Sequence, residues 1–118
     1  MGVDIFGVYL IDFKNNIGGE LSGKHYGVAL SNISNKDDTF LVAPITSKKQ
    51  GKKYRGGITM NCMKYQKNPS CNKAFIKVRK IREVDKNRVR GSKLYDLDSE
   101  DVLRLKEKMI EFFKLNIE

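Results

Sequence analysis

The sequence predicts a mainly β fold of the α+β class, a small, curled antiparallel sheet or partly open barrel followed by one C-terminal helix. Three observations point there. Five or six short β-branched or aromatic runs are separated by glycine-rich and polar turns. The hydrophobic period becomes helical only in the tail, after Leu97. No repeat or linker divides the 118 residues, a length that suits one domain over residues 1–118.

The elements follow in order. "FGVYLIDF" (6–13) is a first strand, and "KNNIGGELSGK" (14–24) is a loop carrying Gly18, Gly19 and Gly23. "YGVALSN" (26–32) is a second strand that runs into the polar turn "SNISNKDD". "FLVAPITS" (40–47) is a third, with Pro44 suggesting an edge, a bulge or a strand end. "KKQGKKYRGG" (48–57) is a basic connector, and "ITMNCM" (58–63) a short fourth strand. "KAFIKVRKIREV" (73–84) reads as the longest strand, with Ala74, Ile76 and Val78 on one face and Lys77 and Arg79 on the other. In the tail, Asp98 or Ser99 can cap a helix whose first turn is acidic. Its stripe of Val102, Leu105, Met109, Phe112 and Phe113 would lie on the barrel core as a lid.

Composition narrows the function classes. Apolar runs are short, so no transmembrane helix is expected, and the first residues lack the features of a signal peptide; a cytoplasmic protein without a membrane partner is the expectation. Cys62 and Cys71 are too few for a disulfide framework, and with His25 they fall short of a zinc site, so two free thiols and no metal or cofactor are expected. Twenty-three Lys and Arg against fourteen Asp and Glu give a net charge of +9. That excess suits nucleic acid, a membrane surface or an acidic protein.

Three places could carry chemistry. The glycine-rich loop runs into Lys24 and His25, the only histidine, but no phosphate-binding loop pattern is present. "APITS" ends a strand on Thr46 and Ser47, a common position for reactive hydroxyls. Lys77 and Arg79, beside Lys80 and Arg82, form a cationic face suited to phosphate. No nucleophile elbow, paired-carboxylate signature or H-E-x-x-H motif occurs.

Taken in order, "VYLIDF", "NIGGELSGKH", "VALSN", "VAPITS" and "KIREVDKNRV" resemble the MazF/PemK toxins of bacterial type II toxin–antitoxin modules. "NIGGELSG" resembles the family's G-S-E-Q-x-G loop, "VAPITS" its V-x-x-I-T strand end, and "KIREVDKNRV" its Q-I-R-T-I-D-K-x-R-L segment. The resemblance spans nearly the whole chain. It implies an SH3-like barrel, a homodimer, metal-independent cleavage of single-stranded RNA, and a cognate antitoxin whose tail fills the substrate groove.

The departures fall on the site. Where the family's loop ends in Arg-Pro, this chain has His25-Tyr26; where many members carry an acid, it has Arg79, with Lys77 two positions earlier. Thr46 matches without change. Arginine is a phosphate clamp and a poor base, whereas histidine titrates near neutrality. The reading is therefore His25 for proton transfer, Arg79 and Lys77 for phosphate charge, and Thr46 as an orienting hydroxyl. Lys24, Ser47, Lys48, Lys49, Lys52, Lys53 and Arg55 are the candidate RNA contacts, and Gly19 and Glu20 the loop support. The alternative is a non-enzymatic protein on the same scaffold, either a CcdB-like gyrase binder or a degenerate binder of RNA or a partner. A histidine that only bonds a strand carbonyl would fit that alternative.

Overall fold

A computed structural model describes residues 2–14 and 22–114; Gly19 and Glu20, the expected loop support, lie outside the described residues. Seven strands and one helix follow in order: β1 (Gly7–Asp12), β2 (Lys24–Ala29), β3 (Thr39–Ser47), β4 (Gly57–Asn61), β5 (Lys73–Lys77), β6 (Arg82–Asp85), β7 (Val89–Asp96) and α1 (Ser99–Phe113). The strands form one antiparallel sheet in the order β4-β5-β3-β2-β1-β7, with β6 pairing to β3 off that path. The sheet curls without closing, as the expected partly open barrel requires.

β3 organises the sheet. One edge pairs with β2 through Tyr26↔Ile45 and Val28↔Ala43. Its other edge is shared: Thr39 to Val42 pair with β6, and Ile45 to Ser47 with β5. Pro44 has no N–H to contribute to a ladder and stands at the changeover. Of the edge, bulge or strand end that Pro44 suggested, the edge and the strand end are corrected, since β3 is central, runs on to Ser47, and changes partner at Pro44. For the same reason "KAFIKVRKIREV" is not one strand. It breaks at a single 3-10 turn, Val78–Lys80, where the Arg79 N–H donates to the Gly56 carbonyl at 3.0 Å.

Strand alternation sorts the buried residues onto two faces. Val8, Val28, Ala43, Ile45, Ile58, Ile76 and Val78 form one core, which Leu105 of α1 caps with Val102 and Met109 packed alongside. Tyr9, Ile11, Phe13, Phe40, Val42 and Val84 form a second core on the opposite face. The lid stripe is therefore only partly right: Phe112 and Phe113 remain exposed beyond the last turn that meets the sheet. α1 starts as expected, the Asp98 carboxylate accepting from the Asp101 N–H at 2.9 Å. Asp101 is itself buried and accepts from the Tyr65 hydroxyl at 2.6 Å and from Arg104 at 2.9 Å, tying the helix to the turn after β4.

Candidate functional site

His25 and Thr46 come together. The β2–β3 register runs through Gly27↔Pro44 and Tyr26↔Ile45, and its next step sets His25 beside Thr46. Both line one cleft of about 420 Å³ with Lys24, Ser47 and Lys49. Tyr95, Gln66, Ser70, Cys62 and Cys71 also line it. Thr46 is half-buried, whereas Lys24 and Ser47 are exposed.

The histidine's orientation is set locally. His25 Nε2 lies 2.8 Å from the Ser22 carbonyl oxygen. A carbonyl only accepts, so Nε2 carries the hydrogen and, in the neutral ring, Nδ1 is the acceptor. The ring stands 6.2 Å from Phe13, over which the Arg82 guanidinium also lies at 5.6 Å. Arg82 is thus the cation of the 79–82 run that packs on the aromatic beside His25, and Val42↔Arg82 pairing in β6 places it there. The sequence reading grouped it only with a general cationic face.

Lys77 and Arg79 line a different cleft, of about 320 Å³, with Lys52, Lys53, Arg55 and Lys80 over Phe75 and Tyr54. The four residues assigned to one catalytic group are therefore divided between two clefts. Lys77 ends β5, and the Val78–Lys80 turn takes Arg79 off the strand and across Gly56. Gly56 has φ +67°, and a Cβ there would sit 2.0 Å from Arg79 Cγ, so the glycine is what lets the arginine stem cross. The clefts are nonetheless neighbours. Thr46 pairs with Phe75, and alternation puts Lys77 on the same sheet face as both.

The second cleft is electrostatically one-sided. Burial and the nearby charges of Lys80 and Lys52 hold the Lys77 ammonium below the ordinary lysine value. Cations gathered in this way favour a polyanion. Tyr54 fixes the connector that supplies them: its hydroxyl accepts from the Lys49 N–H at 2.8 Å and donates to the Ser47 carbonyl at 3.2 Å. Its ring packs 5.2 Å from Phe75, with the Lys48 and Lys52 ammonium groups each 5.9 Å from the ring centre. Lys48 also donates to the Thr59 hydroxyl at 2.9 Å. Among the described residues no three His, Cys, Asp or Glu side chains stand together as a metal site, and no helix is long and apolar enough to cross a membrane.

Comparison with known proteins bears on what this arrangement belongs to. A solved structure, MazF (Form-I) from Deinococcus radiodurans, superposes with a TM-score of 0.74 over 97% of this chain and 98% of that one, at 16% sequence identity. At that identity the likeness establishes the fold. Comparison with curated proteins gives no match. Residues 5–113 match the family described as PemK-like, MazF-like toxin of type II toxin–antitoxin system. With a match from β1 through the last turn of α1, the chain belongs to the PemK-like, MazF-like toxin family of type II toxin–antitoxin systems.

Proposed function

We infer that this toxin is a metal-independent, sequence-selective endoribonuclease that cuts single-stranded RNA through the ribose 2′-hydroxyl and is neutralised by a cognate antitoxin. The observation that carries the reading is the pairing of His25 with Thr46 in one cleft beside a second cleft lined by cations. Neutral His25 takes the 2′-hydroxyl proton on Nδ1, and the 2′-oxygen attacks phosphorus. The P–O5′ bond breaks, the 5′-oxygen takes a proton from solvent water, His25 returns its proton to the resulting hydroxide, and a 2′,3′-cyclic phosphate remains. Thr46 orients the reacting phosphate. Lys24 and Lys49, which share the cleft with His25, stabilise the charge on the reacting phosphate together with the phosphate-binding cations Lys77 and Arg79. Those two, with the connector cations, hold the flanking RNA backbone. The working toxin is a cytoplasmic homodimer.

The test is an assay of purified protein on long single-stranded RNA in EDTA, with a DNA control and the variants His25→Ala, His25→Gln and Thr46→Val. Cleavage of RNA alone, with cyclic or 3′-phosphate ends that disappear in the His25 variants, is the expected result. Cleavage that survives both His25 variants would remove the histidine from the chemistry. Several unrelated RNAs left intact by folded wild-type protein would return the chain to the non-enzymatic reading, with His25 serving only its bond to the Ser22 carbonyl.

A further inference from the structure

We propose that Cys62 and Cys71 are an oxidisable pair whose disulfide locks one wall of the His25–Thr46 cleft. Both are free cysteines, and their sulfurs lie 3.1 Å apart. A disulfide needs about 2.05 Å between sulfurs, so closure asks for roughly one ångström of movement. The backbone already holds the two ends side by side: the Cys62 N–H, just past β4, donates to the Asn72 carbonyl, just before β5, at 2.9 Å. The bridge would close the segment between them into a ring, and that segment supplies Gln66 and Ser70 to the cleft.

The two thiols are not equivalent. Cys62 is buried at 6% exposure, whereas Cys71 is half-buried. Burial, followed by the hydrogen bond to Cys71, pushes the Cys62 thiol up to about 12, so it rests protonated. Cys71 is the sulfur that a peroxide reaches first. Its thiolate attacks one peroxide oxygen, the O–O bond breaks, and hydroxide leaves with Cys71 as the sulfenic acid. Cys62 sulfur then attacks Cys71 sulfur; the S–O bond breaks, and the hydroxyl departs with the Cys62 proton as water. Two thiols lose two electrons and two protons, and hydrogen peroxide becomes two waters.

The effect of the bridge on RNA cleavage rests on the endoribonuclease reading; the bridge itself does not. The experiment treats the full chain and its Cys71→Ser variant with hydrogen peroxide, alkylates remaining thiols, and digests with trypsin without reductant. Peptides 56–64 and 68–73 are normally released separately by cuts after Lys64 and Lys67. In oxidised wild type they should appear as one linked species from a monomeric chain, lost on dithiothreitol treatment and absent from Cys71→Ser. Amide exchange over residues 63–70 should slow in the same sample, and the initial rate of RNA cleavage should fall at least several-fold. Two alkylated cysteines after peroxide, a sulfinic acid at Cys71 without linkage, or a bridge between two chains would overturn the pair. Linkage with unchanged exchange or unchanged cleavage would overturn the lock. Linkage and slowed exchange in a protein that cuts no RNA in either state would uphold the bridge and sink only the ribonuclease reading.

Discussion

Replacing Lys77 with methionine isolates the charge of the second cleft, because the stem that packs beside Phe75 is largely kept while the ammonium is lost. Six cations line that cleft, Lys52, Lys53, Arg55, Lys77, Arg79 and Lys80. If each neutralises one phosphate of a single strand, log K against log salt has a slope of about −4, and each lost cation makes it shallower by about 0.7. Between 50 and 200 mM salt, wild type would then lose affinity about 300-fold and Lys77→Met only about 120-fold. Fluorescence anisotropy with a 2′-O-methyl oligonucleotide reads binding alone, since no 2′-hydroxyl is available for attack. A slope near zero in wild type, or the same slope in Lys77→Met and Arg79→Met as in wild type, would refute this use of the cleft.

The pH dependence follows with a definite sign. Burial first, then Lys80 and Lys52, lower the proton affinity of Lys77 in the free protein. Between its folded and ordinary values the unfolded chain binds more protons, so this residue makes stability rise with pH there. Bound phosphate restores the proton. RNA affinity therefore falls as pH rises through the free-protein value of Lys77, with proton uptake on binding visible in buffers of different ionisation enthalpy. Lys77→Met should lose this pH dependence and fold at least as stably as wild type.

Other expectations test the scaffold. Gly56→Ala places a Cβ 2.0 Å from Arg79 Cγ at φ +67°, so urea unfolding should show a loss of about 1–2 kcal/mol, and the salt slope should match that of Arg79→Met. Asp101→Asn removes a buried charge held by Tyr65, Arg104 and, at 3.4 Å, Lys64. Arg104 keeps the Thr59 carbonyl and the amide keeps one acceptor, so the loss should be about 2–3 kcal/mol in urea, near the lower end for a broken buried pair. Leu105→Ala empties the apolar seat of α1 on the sheet and should cost about 3 kcal/mol by the same measurement.

Much of the fold was legible because its central strands are short β-branched and aromatic runs, buried on both faces. β1 and β3 show it in Val8, Ile11, Phe40 and Val42, and the tail shows its helix in the Asp98 cap and the placing of Leu105. β7 was not legible for the opposite reason. Most of its residues are exposed, so pairing with β1 rather than apolar pattern makes it a strand. The break after Lys77 was equally silent, since Val78 and Val84 both suit a strand interior. What separates them is that β3 changes partner at Pro44, a fact about register and not about the 73–84 segment.

The same distinction governs the site. His25 and Thr46 stand far apart in sequence and meet only through the β2–β3 register, so their pairing was reachable through family resemblance and not through any local motif. Lys77 and Arg79 were likewise grouped with that pair through the resemblance; Lys77 stands in β5 on the sheet face of Thr46, whereas Arg79 follows the turn after β5. The 3-10 turn takes Arg79 across Gly56, and the cations around it line a cleft next to that of His25, with Thr46 and Phe75 paired between the two. The proposed function accounts for histidine at the position of the family's loop arginine. On the proposed reading, the connector cations with Lys77, Arg79 and Lys80 grip the RNA backbone, so position 25 is not needed for an arginine clamp.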